Sequence, residues 1–244
     1  MKRTFADLHL RVNGKDPTQT AKIACKAAEL GYKLIAIQLA PETRPEEIRQ
    51  IKTTCADVGL DFALRVDLRP RSQDELTGLL RKLRRRFEVI CVLCETKEVA
   101  RQAAKDHRVD LLNFPLLDYR RRFFDRAEAE LASCGNAGFE VDVKPLLVLE
   151  AAARVRFLSS LRREVAVALE FHLPLVVSSG VSEALLMRRP REMAFLASLF
   201  GLTGTDALDA VSVCPSGLVE RNREKLGTGF VAPGIRVIKQ GEDC

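Results

Sequence analysis

Thr4-Phe5-Ala6-Asp7-Leu8-His9-Leu10-Arg11 reads as a first β-strand that closes on His9, with Arg11 just beyond it. Short β-rich runs of the same kind recur at roughly 33–39, 60–68, 87–93, 109–114, 139–143 and 173–178, and amphipathic helices separate them. Seven strands alternating with helices predict parallel β-α units wound right-handedly. The 244 residues lie within the range of a single α/β barrel, and 47% apolar with only 6% aromatic residues suits a core of Leu, Val, Ala and Ile. One barrel domain over 1–244 is therefore expected, with 226–244 as a loosely ordered, glycine-containing tail.

Several helices have their ends written into the sequence. Asp16 is a predicted N-cap, Pro17 takes the first helical position and Gly31 follows the last turn. Pro45 opens a second helix that spaces Ile48, Ile51, Cys55 and Val58 on one face until Gly59. Ser72 to Glu75 forms a capping box ahead of Leu76, Leu79, Leu80 and Leu83. Pro190 suits the first turn of a late helix running toward Phe200.

The formal charge is +6, and 27 of the 39 basic residues are Arg, the side chain that binds phosphate bidentately and stacks on bases. A polyanionic partner fits that balance. The seven cysteines are an odd number in apolar contexts, which points to a reducing cytoplasm and free thiols. Cys91-x-x-Cys94 lies inside a strand run with no second pair, so these two read as small buried hydrophobes rather than zinc ligands. No run approaches the 18 apolar residues of a membrane span, and none resembles a secretion signal.

In a barrel of this kind function gathers at the strand C-termini, which nominates His9, Arg11, Arg65, Asp67, Glu95, Asn113, Asp142, Lys144 and Ser178-Ser179-Gly180. The chain has only three histidines, and His107 and His172 fall at helix ends that precede strands, so they read as polar helix termini. Arg188 and Arg189 stand before Pro190, where free backbone amides and two guanidinium groups make a phosphate clamp; the alternative is that Arg188 pairs locally and orders its loop. Between 81 and 86 every residue but Leu83 is basic, which makes Arg84 and Arg85 candidate phosphate contacts; a solvated helix end is the competing reading. Nucleophile elbows, P-loops and dinucleotide fingerprints are missing, so acyl transfer and nucleotide-driven chemistry lack support.

Asp7-Leu8-His9 resembles the opening of metal-dependent phosphoesterase barrels of the polymerase and histidinol phosphatase type, which begin Asp/His-x-His; here Arg11 stands where the second His belongs. A cation beside the first ligand opposes metal binding. A fuller resemblance rests on Thr4 to Arg11, Ala28 to Ile37, Val109-Asp110-Leu111-Leu112, and Val177-Ser178-Ser179-Gly180 through Arg188-x-Pro190-x-Glu192 into Leu199-Phe200-Gly201-Leu202. On these motifs the chain, from about residue 3 to 226, is similar to the ribonuclease P protein component 3 family, the archaeal and eukaryotic 30-kilodalton subunit.

That resemblance implies a distorted TIM-like (β/α) barrel related to the phosphoesterases, with their metal site lost. It further implies a protein subunit of the ribonucleoprotein that removes the 5′ leader from precursor tRNA, where the RNA carries out catalysis and uses the Mg2+. The protein itself is expected to need no cofactor. Implied partners are the ribonuclease P RNA, protein component 2 in a two-plus-two heterotetramer, other protein subunits, and precursor tRNA in the holoenzyme. Carried over by motif, Arg188 and Lys144 become RNA contacts, with Arg101 and Arg120 less closely matched; Arg189, Arg84, Arg85 and Arg11 complete the candidate set. Two rivals remain: a metal-dependent phosphoesterase using Asp7, His9, Asp67 and Glu95, and an assembly scaffold that never meets RNA.

Overall fold

The computed structural model describes residues 3–13, 16–115, 123–232 and 235–236. Seven strands, β1 (Ala6–Leu10), β2 (Leu34–Gln38), β3 (Asp61–Leu68), β4 (Val89–Leu93), β5 (Leu111–Asn113), β6 (Gly138–Asp142) and β7 (Leu175–Ser178), lie side by side in sequence order. Each pairs in parallel with the next, as strand-helix alternation demands when every crossover has one hand.

The intervening helices are α1 (Pro17–Leu30), α2 (Pro45–Asp57), α3 (Gln73–Leu83), α4 (Lys97–Lys105), α5 (Arg126–Gly135), the short α6 (Lys144–Val148) and the long α7 (Ala151–Glu170). Their boundaries follow local chemistry. Asp16 accepts from the backbone N–H groups of Thr18 and Gln19 at the start of α1, and Gly31 ends it in the left-handed region. The Ser72 hydroxyl accepts from Glu75 N at 3.2 Å, which is half of the predicted capping box of α3; the other half is displaced, since the Glu75 carboxylate accepts from Arg71 N at 2.7 Å instead of from Ser72. His107 and His172 sit in turns before β5 and β7, as expected.

After β7 come a 3-10 turn (Ala184–Leu186), α8 (Pro190–Ser198), α9 (Gly204–Asp209) and α10 (Val213–Leu226). These elements finish the barrel. Near the strand C-termini β1 and β7 meet through Gly180 N to His9 O and Arg11 N to Val181 O, both 2.9 Å. At the other end the turn at Ala210-Val211 fills the gap, accepting from Val177 N at 2.9 Å and Ala6 N at 3.0 Å. The barrel is thus nearly closed with seven strands, and the place of an eighth is taken by backbone from this turn.

Alanine, cysteine and aliphatic residues line the lower interior. Ala6, Leu8, Leu34, Ala36, Ala63, Val89, Cys91, Leu111 and Val176 pack there against Leu218 and Val219 of α10, which stops the barrel at its strand N-terminal end. Cys91 and Cys94 are both buried, as the strand reading required. Within the expected loose tail, β8 (Phe230–Ala232) and β9 (Ile235–Arg236) pair as an antiparallel ribbon, while 237–244 lie outside the described residues. No helix among the described residues is long and apolar enough to cross a membrane.

Candidate functional site

Arg65 is the largest side chain buried without solvent contact, and it stands in the middle of the barrel. Its Nη1 and Nη2 each donate to one oxygen of Glu140 at 2.6 Å, its Nε donates to Asp67 Oδ1 at 2.7 Å, and Nη1 also reaches Leu8 O at 2.7 Å. Strand periodicity builds this fork: Ala63, Arg65 and Asp67 alternate inward on β3, and Gly138, Glu140 and Asp142 do so on β6. Small inward residues below leave the volume for a guanidinium. Around Glu140, Ser178 Oγ donates at 2.8 Å and Asn113 Nδ2 at 3.0 Å, so its carboxylate is fully engaged.

His9 enters the same network through an irregularity in β1. Asp7 pairs with Ile35 but Leu10 with Ile37, so β1 spends one more residue than β2 over this step. Such a bulge re-aims a side chain. Leu8 and His9 thereby both face inward, while Asp7 turns toward Ser179, whose backbone N–H it accepts at 3.0 Å. His9 Nδ1 lies 2.7 Å from Asp142 Oδ1, and Nε2 lies 3.0 Å from Asp67 Oδ2. Arg11 completes the roof with Nε 3.0 Å from His9 Nε2 and Nη2 3.3 Å from Asp142.

The two contacts at His9 Nε2 exclude each other, since a doubly protonated ring donates there to Asp67 and a neutral ring accepts there from Arg11. Burial and the Arg65 charge lower the His9 pKa, but Asp142 and Asp67 outweigh them and raise it to about 9. The ring is therefore cationic at neutral pH and donates to both carboxylates. Burial works against ionised Glu140, yet Arg65 holds its pKa down to about 2, and Arg65 and His9 hold Asp67 below the usual carboxylate range. Asp7 is shifted the other way: burial raises it, and its Oδ2 has no hydrogen-bond partner.

Above the network opens a cavity of about 320 Å3, with Arg11, Arg69 and Lys144 on its polar side and Phe114, Val148 and Leu149 on its apolar side. Gly180 lies beside Asp142 with φ +66°, and a Cβ there would come within 2.7 Å of the Asp142 carboxyl carbon. This glycine lets the loop after β7 close over the network.

The sequence-nominated residues divide between the two ends of the barrel. His9, Arg11, Asp67, Asn113, Asp142 and Gly180 converge at the mouth, with Lys144 on its rim and Lys144 Nζ 3.4 Å from Ser182 Oγ. Arg188 and Arg189 lead into α8; the Arg188 guanidinium donates to Leu185 O and Met187 O, so it braces its own turn through carbonyls rather than a carboxylate. Arg189 is exposed at the N-cap and its backbone N–H is held by Glu192 at 3.0 Å. Arg101 is exposed on α4 and pairs with Glu128 at 3.1 Å.

Arg84 and Arg85 lie at the opposite end. Arg84 is drawn inward, bonded to Asp110 and to the carbonyls of Phe87, Glu88 and Arg108, whereas Arg85 is exposed. Arg120 lies outside the described residues. The ligand set of the rival phosphoesterase is not assembled as expected: Glu95 pairs with Arg69 at 3.0 Å and Asp7 points away, and among the described residues the metal-capable atoms that do approach one another belong to His9, Glu140 and Asp142. Glu140 escaped the sequence reading. Its signal was the alternation Glu140-Val141-Asp142, which matches Arg65-Val66-Asp67 across the barrel.

Fold and site together define an α/β barrel whose interior, at the level where barrel enzymes hold their chemistry, is filled by an arginine-carboxylate network. The sequence profile of RNase P subunit p30 matches residues 4–226, and the chain belongs to this family. Ribonuclease P protein component 3 of Methanosarcina barkeri is 29% identical over 221 residues, covering 91% of this chain and 90% of the relative. The protein of the same name from Methanosarcina acetivorans is 30% identical over 185 residues, 76% of each chain. In structure, a chain of archaeal ribonuclease P with mature tRNA superposes with a TM-score of 0.82 at 20% identity, covering 98% of this chain and 100% of that one. The family resemblance and the barrel expected from the motifs are both borne out.

Proposed function

We propose that this chain is a protein subunit of ribonuclease P, the endoribonuclease that removes the 5′ leader from precursor tRNA, and that it supports a catalytic RNA without an active site of its own. The carrying observation is that family membership runs through the whole barrel while the barrel's inward carboxylates are already held, Glu140 and Asp67 by Arg65 and Asp142 by His9. A metal at His9, Glu140 and Asp142 does not fit that donor set. Both Glu140 oxygens accept from Arg65, and the His9 nitrogens face carboxylates as donors, so a divalent ion would have to displace a buried guanidinium. On this reading the protein needs no cofactor, and the Mg2+ of the holoenzyme serves the RNA.

Lys144, Arg11, Arg188 and Arg189 at one end, Arg101 on the flank, Arg120, and Arg84 and Arg85 at the other end are the proposed basic residues for folded RNA, read by shape and backbone charge. Arg85, Arg101 and Arg189 support this by their exposure. Pairing with protein component 2 in a two-plus-two heterotetramer belongs to the same proposal. Apolar Phe195 exposed on α8 and Leu199 at its C-cap, beside α7 through Arg162 Nε to Leu199 O at 2.6 Å, offer surface for such a subunit. The cytoplasm is the proposed compartment, where exposed thiols such as Cys25 and Cys134 stay reduced.

The test is reconstitution of precursor-tRNA cleavage at low magnesium with the RNA and remaining subunits, with and without this chain. Faster cleavage with the chain is expected; equal rates overturn the proposal. Stoichiometric bound zinc or manganese together with phosphodiester turnover by the isolated chain would establish the rival hydrolase instead.

A further inference from the structure

Away from the barrel mouth, the strand N-terminal end concentrates cations around one buried carboxylate. Asp110 accepts from Ile90 N at 2.8 Å and from Arg84 through Oδ2, and its Oδ1 lies 3.3 Å from Arg221 Nη2. Lys225 stands one helical turn beyond Arg221 on α10, exposed and without an ion-pair partner among the described residues. Three cations thus share a single negative charge. Burial, then the charges of Arg221 and Arg84, pull the Lys225 ammonium below its ordinary value against the opposing pull of Asp110.

Arg221 carries a second sign of incompleteness. Its Nη2 leans on Asp110, while its Nε is buried without any hydrogen-bond acceptor. A buried guanidinium N–H left unmet is costly, and the 36% of the Arg221 side chain that stays exposed is where a ligand oxygen can approach the group. Arg81 and Lys82 are exposed on the last turn of α3 and Arg85 in the turn that follows, where Arg84 enters the same cluster, so the surplus charge continues onto the surface.

We propose that Arg221 and Lys225, seated on Arg84 and Asp110, form an RNA phosphate-binding site at the closed end of the barrel, continued by Arg85 and Arg81 at the C-terminal end of α3. A tetrahedral phosphate can accept from the solvent-facing edge of the Arg221 guanidinium and the Lys225 ammonium together, which relieves their mutual repulsion. The proposal rests on the ribonuclease P reading and extends it. RNA then touches both ends of the barrel, the Lys144 and Arg188 end and the α3 and α10 end, so the protein spans two RNA segments rather than lying on one.

The test uses the full chain and transcribed ribonuclease P RNA from the same genome, with binding measured across a salt series for wild type, Lys225→Glu, Lys225→Gln and Lys144→Ala. Lys225→Glu places a carboxylate beside Arg221 and Arg84, so its melting temperature should hold or rise while RNA affinity falls about tenfold and the log-log salt slope drops by about 1. Lys225→Gln should fall between it and wild type. Affinity and slope equal to wild type in both Lys225 variants overturn the site, and if Lys144→Ala is weakened in that experiment the ribonuclease P reading survives. Lost binding of protein component 2 with intact RNA binding also overturns it, assigning the cluster to a protein contact. Wild-type chain that fails to bind the RNA at all sinks both proposals.

Discussion

Arg65 holds both oxygens of Glu140 at 2.6 Å across 75 residues of sequence, from β3 to β6, with neither side chain reaching solvent. A paired buried ion couple adds little net stability compared with an apolar pair, but breaking one strands a charge in the interior. Arg65→Met removes the bidentate partner of Glu140 and leaves Asp67 with His9 alone, and should lower unfolding free energy by roughly 3–5 kcal/mol in a urea titration. Adding Glu140→Gln to it should recover part of the loss; no difference between single and double variants would show that the couple is not the unit of stability.

The His9 ring predicts a pH signature. Its folded pKa, about 9, lies above the ordinary 6.5, so its contribution is complete below pH 6.5 and is lost as pH rises toward 9. The full shift corresponds to on the order of 3 kcal/mol. His9→Gln should flatten the decline of stability between pH 6.5 and 9, measured by melting temperature across buffers. In the acid limb the sign reverses, because Glu140 is depressed to about 2 and its contribution disappears as pH falls from 4.5 toward 2.

Gly180 tests the closure over the network. At φ +66° and with a Cβ position 2.7 Å from Asp142, Gly180→Ala should cost roughly 1–3 kcal/mol of stability. A thermal melt unchanged from wild type would mean the loop after β7 is free to move aside.

Arg84 and Arg85 should separate cleanly although they are neighbours. Arg84→Ala removes donors to Asp110 and three carbonyls and should destabilise by about 2–3 kcal/mol. Arg85→Ala should leave the melting temperature within about 1 °C, since exposed substitutions change stability little. If it binds RNA, its effect appears as a lower salt slope instead.

At the mouth, Lys144→Ala should weaken RNA binding by about 1–3 kcal/mol with an unchanged fold, whereas Arg188→Ala should also loosen the turn before α8 because Leu185 O and Met187 O lose their donor. Binding isotherms paired with limited proteolysis of that turn distinguish the two outcomes.

Legibility in the sequence tracked range. Asp16, Pro17 and Gly31 announce α1 because capping is decided within a few residues, and Ser72 does the same for α3. The seven strands are readable because alternation of strand and helix is itself local. What escaped is what only closure creates. The β1 bulge that turns His9 inward has no residue signature, and Glu140 meets Arg65 only once β3 and β6 face each other across a barrel. The charge run 81–86 looked uniform, yet register alone sends Arg84 to Asp110 and leaves Arg85 in solvent. Ala210-Val211, which stands in for an eighth strand, is a turn between helices and carries no strand pattern.

That turn has a consequence for how the molecule is born. Because Val177 and Ala6 find their acceptors in Ala210 and Val211, the first and last strands keep their N-terminal halves bare until those residues have left the ribosome. Synthesis therefore yields a half-wrapped sheet early and seals it late, with the chain's own final helices arriving as the stopper. A nascent polypeptide arrested short of Ala210 would carry two half-open edges joined only at the barrel mouth, and those open halves should pair with its siblings.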